Sequence, residues 1–224
     1  MKKKYLLMIV AALLLCSTAI GGTMAALDTE TSESAVAGIS VKNIEVTAAG
    51  TQEGEIVINE GKKVTPGGNL DYPLWVENSG NGYDIYVKVE LYKSWTSDKS
   101  SEELDAAMGI IYGNAANNGW LVQYEDEEQM VLYYKYPLKA TTEGEANKST
   151  NFMDGIRFDK DMNNAYADAT MTIDYTVTAV QANNSEDAMA AEWGMFPVFD
   201  SDGTLLNVYE TRAEAEAART ALNN

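Results

Sequence analysis

Thirty-four carboxylates and no histidine limit what this chain can catalyse. A zinc protease of the His-Glu-x-x-His type needs two imidazoles, and Ser-His-Asp or Cys-His nucleophile systems need one, so all three are excluded. The sequence also has no Gly-x-x-x-x-Gly-Lys phosphate loop. Carboxylates alone hydrolyse glycosides when two of them flank the scissile bond, but the acids here are scattered and nominate no pair. The residue types argue for a protein that is not an enzyme.

Oxygen ligands and aromatic rings offer two further chemistries. "DKDMNN" (Asp159, Asp161, Asn163) and "DSDG" (Asp200, Asp202, Gly203) alternate side chains that calcium accepts. A calcium loop wants glycine at its sixth position and glutamate at its twelfth. Asn164 and Thr170 stand there in the first candidate, and the second breaks off into "TLLNVYE". Asp159, Asp161, Asp200 and Asp202 therefore offer calcium part of a site at most, and Asp-rich turns account for both pairs. No other cofactor is expected. Tyr133, Tyr134 and Tyr136, with Trp75, Trp95 and Trp120, could form a platform for sugar rings, as in a monomeric extracellular carbohydrate-binding or adhesin-like module. Strand alternation puts Tyr134 and Tyr136 on one face and Tyr133 on the other, so part of the stripe must be packing.

The elements that carry these residues read mostly as strands. "ISVKNIEV" begins a strand-like pattern at Ile39, and "GEIVINEG" is a short strand between glycines. In "LDYPLWVENSGNGYDIYVKVEL", Leu70, Tyr72, Leu74 and Val76 alternate with polar or mixed residues, as do Ile85, Val87, Val89 and Leu91. The intervening "NSGNG" reads as the turn of a hairpin. Pro73 cannot donate to a ladder, so its strand belongs at an edge or a bulge. "GWLVQYEDEEQMVLYYKYPL" predicts a hairpin, "GIRFD" a short strand, and "ATMTIDYTVTAVQA" a long strand with Met171, Ile173, Tyr175 and Val177 on one side. "FPVFDSDGTLLNVYE" predicts another hairpin. "SSEELDAAMG" reads as a helix capped by Ser100 with Glu103, "EDAMAAEW" as a helical turn, and "TRAEAEAARTALN" as a helix capped by Thr211 with Glu214. This pattern predicts an all-β, jelly-roll-like sandwich with short helical insertions and a C-terminal helix.

At the front, Lys2, Lys3 and Lys4 precede an uncharged apolar run from Tyr5 to Ala19, the arrangement of a secretory signal. The run is too short for a spanning helix and lacks a basic flank on its far side. A lipid anchor on Cys16 would need a small residue before it, and Leu15 is bulky. Thr23 and Ala25 supply the small residues that signal peptidase reads, which places the cut between Ala25 and Ala26. Removing three lysines from the 16 basic residues leaves 13 against 34 acids. Such an acidic surface repels nucleic acid and anionic membranes, and the released chain is not expected to bind either. The expected organisation is a signal peptide at 1–25, an N-terminal arm at 26–38, a β-sandwich domain at 39–210 and a C-terminal helix at 211–224.

Three stretches resemble the TasA/camelysin family, exported proteins of Gram-positive bacteria processed by the signal peptidase SipW. "GGTMAALD" resembles the family cut site, though Leu27 stands where an aromatic residue often follows. "TPGGNLDYPLWVENSGNGYDIYVKVEL" resembles its Pro-Gly, strand, Asn-x-Gly, strand block. "MVLYYKYPL" and "TVTAVQANN" followed by "EWG" resemble its tyrosine-rich hairpin and Ala-Val-Gln strand. The resemblance implies a secreted jelly-roll protein of the cell surface or biofilm matrix, with SipW as its export partner. It also implies fibres made with itself or related subunits, in which the arm from Ala26 is donated as a strand to the next copy. Camelysin itself is regarded as a metalloprotease, a reading that the missing histidines oppose here.

Overall fold

A computed structural model describes residues 38–41, 44–47, 51–58, 65–78, 82–97, 104–113, 119–140, 147–166 and 169–222, all within one compact unit, Ala35–Asn224. The expected cut at Ala25 and Ala26, the arm up to residue 37, and the Ser100 and Glu103 cap lie outside the described residues.

Two sheets face each other. The first has the order β3-β12-β6-β9-β8, all antiparallel: β3 is Thr51–Ile58, β6 Ile85–Thr96, β8 Trp120–Glu125, β9 Gln129–Tyr134 and β12 Thr170–Gln181. The second is two short ladders joined end to end. In one, β4 (Asn69–Leu74) and β7 (Gly109–Tyr112) flank β11 (Met153–Phe158). In the other, β5 (Val76–Asn78) lies between β10 (Asn147–Lys148) and β1 (Gly38–Val41), which pairs with β2 (Ile44–Thr47). The amides of Ser149 and Phe152 donate to the carbonyls of Val76 and Leu74 at 2.8 and 2.9 Å, which keeps the two ladders in line.

The alternating residues meet between the sheets. Val87, Val89 and Leu91 of β6, Met171, Ile173, Tyr175 and Val177 of β12, and Leu132 of β9 are buried against Leu74, Val76, Met153, Ile156 and Phe158. Removing this area from water supplies the main drive for folding, in a chain whose one cysteine, Cys16, rules out an internal disulfide.

The sandwich is as predicted, but one expected hairpin is not. The strands on either side of "NSGNG" do not pair with each other: β4 and β5 belong to the second sheet and β6 to the first. Buried Asn78 shows why the chain crosses over. Its Nδ2 donates to the carbonyls of Tyr83, Leu138 and Lys139 at 3.0 to 3.2 Å, which pins the end of β5 to the start of β6 in the opposite layer. The strand orders establish the sandwich without establishing jelly-roll connections between its sheets. Pro73 sits where its expected constraint allows, on a strand whose ladder with β11 shifts register between Met153 and Gly155.

A second, smaller core lies on the outer face of the first sheet. Tyr86, Tyr133 and Val180 point outward there and pack with Met189 of helix α1 (Ser185–Trp193) and with Leu205 and Val208 of β14 (Leu205–Tyr209), which pairs with β13 (Phe196–Phe199). Helix α2 (Arg212–Leu222) closes this layer, capped as expected: the Glu214 amide donates to Thr211 Oγ1 at 3.3 Å and the Thr211 amide to Glu214 Oε2 at 3.2 Å. Arg219 ties the layer together through Glu186 at 2.8 Å and the Pro197 carbonyl at 2.7 Å.

Candidate functional site

The carboxylates proposed for calcium serve the turns that carry them. Asp159 Oδ1 accepts the Asp161 amide at 2.8 Å, and both Asp161 oxygens take the Lys160 ammonium at 2.9 Å. Asp200 Oδ1 accepts the amides of Asp202 and Thr204 at 2.9 and 2.8 Å, closing the β13–β14 turn around Gly203, whose φ of +81° favours glycine. These bonds, the Thr204 amide first, hold the Asp200 carboxyl below its ordinary pKa. Among the described residues no three Asp, Glu, Cys or His side chains converge as a metal site.

The six candidate platform rings are dispersed. Trp120 is fully buried against Tyr134 and Phe152 and donates Nε1–H to the Thr150 carbonyl at 3.0 Å. Trp95 packs on Phe158 and Tyr166. Tyr133 lies on the opposite face against Trp193, where burial raises its hydroxyl pKa. Trp75 is half-buried beneath the Lys148 ammonium, and Tyr136 is exposed. Alternation separated Tyr133 from Tyr134, as expected, and packing consumed most of the rest.

What the fold does expose is backbone at its flanks. On one flank β3 runs eight residues with β12 as its only partner among the described residues, and β4 has only β11. Ile56 and Ile58 of β3 and, partly covered, Leu70 and Tyr72 of β4 border the same core. Tyr175, opposite Gly54 of β3, has a buried hydroxyl with no hydrogen-bond partner, and its pKa is raised by burial and by Tyr72 of β4 nearby. Leu70 and Tyr72 are only partly covered. On its outer side β3 carries Glu53, Glu55 and an exposed Val57. A strand laid here would complete backbone bonds and cover Leu70 and Tyr72.

On the other flank the edges are β7 and β8, and the space between them is stopped by Lys93. Lys93 occupies the inward phase of β6, two residues beyond Leu91 and two before Trp95. Its Nζ donates to the carbonyl of Gly109, the first residue of β7, at 2.8 Å. Burial pushes the ammonium pKa down, opposed by the charges of Glu125, Asp126, Glu127 and Asp105. Beside it lies a cavity of about 30 Å³, room for one water, lined by Ile110, Ile111 and Met130 with Glu125, Asp126 and Gln129. Lys93 is visible in the sequence only as a charge in the apolar phase of an alternating strand, a local signal that does not say which distant carbonyl it meets.

No family model, curated protein or solved structure matches this chain. Among the described residues no helix is long and apolar enough to cross a membrane.

Proposed function

We propose that this chain is a secreted structural protein of the cell surface or extracellular matrix. It assembles head to tail into fibres by donating the arm that begins at Ala26 to the β3/β4 flank of the next copy. The observation that supports this most is that, among the described residues, β3 pairs only with β12 and β4 only with β11, on the flank where Tyr72 lies near a Tyr175 hydroxyl that has no hydrogen-bond partner. Added strands satisfy such edges, and a heterologous contact that does not close on itself propagates as a filament. The 34 acids against the 13 basic residues left after the cut keep copies apart until protonation or cations screen them.

Negative-stain microscopy of two forms of the chain, one starting at Ala26 and one at Gly38, tests the assembly step at neutral and mildly acid pH. Starting the shorter form at Gly38 keeps β1. Filaments from the longer form alone support strand donation. Filaments from both, or from neither, count against it. Light scattering that stays flat across pH and calcium concentration would remove the charge step.

A further inference from the structure

The β7/β8 flank presents two sheet edges next to a mouth with an apolar wall and an acidic rim, and such edges accept strands from other chains unless something prevents it. Ile110, Ile111 and Met130 line that mouth, as an incoming strand would require. Lys93 stands at its floor, on the third strand of the first sheet, reaching across to the carbonyl of Gly109 at the start of edge strand β7. Nothing in the alternation of β6 asks for a charge there. The inward positions before and after it hold Leu91 and Trp95, both buried.

We propose that Lys93 guards this flank: its ammonium, fixed between β6 and β7, keeps the β7 and β8 edges from taking a strand of a second copy, so the chain offers one accepting flank instead of two. An arriving strand would lay its inward side chains over the mouth and strip water from the ammonium. Its backbone would bond to the edges and bring no new acceptor to the floor of the mouth. The acids around the mouth, Glu125, Asp126, Glu127 and Asp105, stabilise the lysine in the free protein and repel another acidic copy. The consequence for fibre polarity rests on the function proposed above; the guard itself does not.

The test compares the chain from Ala26 to Asn224 with Lys93→Met, Lys93→Gln and Lys93→Met/Met130→Lys. Each is followed by sedimentation velocity at a concentration where the parent is monomeric, and by amide hydrogen exchange. Folded Lys93→Met is expected to self-associate at least about tenfold more tightly than the parent. Exchange should slow in β7 and β8. Lys93→Gln should move the same way by less, and Met130→Lys, which returns an ammonium to the same cavity from β9, should reverse the effect. A near-UV circular dichroism spectrum like the parent's establishes folding, and if Lys93→Met does not fold, Lys93→Gln decides by the same two readouts. A folded variant that stays monomeric, or that associates without protection in β7 and β8, overturns the guard. A parent that never forms filaments overturns the fibre reading and leaves this comparison intact.

Discussion

On the β3 side of the sandwich, eight residues from Thr51 to Ile58 lie at a sheet edge, and the facing edge is β4, with Leu70 and Tyr72 only partly covered. On the β7 side, the edge strands are four and six residues long, a lysine fills the gap between the sheets, and an acidic turn stands over it. Both flanks end the same two sheets and border the same core. The two flanks differ in edge length, in a register shift of the β8–β9 ladder between Val122 and Tyr124, and in the group at the floor of the gap. At the β3 side that group is a neutral tyrosine hydroxyl that gains from a partner, and at the β7 side it is a cation already bonded.

The comparison breaks most severely if the closed flank loses its packing. Trp120 of β8 is fully buried between Tyr134 and Phe152, and Trp120→Ala should cost about 3–5 kcal/mol in urea unfolding. Tyr175→Phe sharpens the comparison by acting in opposite directions on two readouts. It removes a buried hydroxyl without a partner, so the monomer should gain up to about 1 kcal/mol, while filament formation should weaken. Loss of monomer stability in urea unfolding would show that the hydroxyl is already satisfied.

Val57→Lys places a charge on the outer side of β3, where Val57 is exposed. It should leave stability within about 0.5 kcal/mol of the parent and slow filament growth in a light-scattering assay. Equal growth rates would move the accepting edge from β3 to β4. The smallest effect is expected at Asp174, which stands between Glu55 on β3 and Tyr92 on β6; its side chain is largely exposed, and only partial desolvation raises its pKa. A carboxyl whose folded pKa lies above its unfolded value subtracts stability when ionised, so Asp174→Asn should raise the melting temperature slightly at pH 7. The gain should vanish as the pH falls below about 3.9, where both states hold the proton. A gain that persists at pH 3 would assign the effect to strand preference instead of charge.

Much of this architecture was legible because alternation is local. Met171 to Val177, Ile85 to Leu91 and Leu70 to Val76 fall inward as their spacing requires, and Thr211 with Glu214 caps α2 through residues three apart. The "NSGNG" segment misled for the opposite reason. A turn signal reports that the chain reverses, but not which layer the next strand joins, and Asn78 settles that through carbonyls of residues 60 and 61 positions away. The aromatic stripe and the paired aspartates were legible as residues and not as sites, because ring packing and Asx bonds compete for the same groups that sugar or calcium would use.

The sequence by itself determined the β-rich class, the faces of the longest strands, the Thr211–Glu214 cap, the Asp200 turn, the acidic surface and the exclusion of histidine chemistry, since each depends on residue type and on neighbours a few positions apart. Only the tertiary structure decided that β4 and β6 lie in opposite sheets, that Tyr175 lies near Tyr72, and that Lys93 reaches Gly109 beside the acidic turn. Those relations join segments that are distant in the chain, and burial of a shared core, which has no sequence period, is what brings them together.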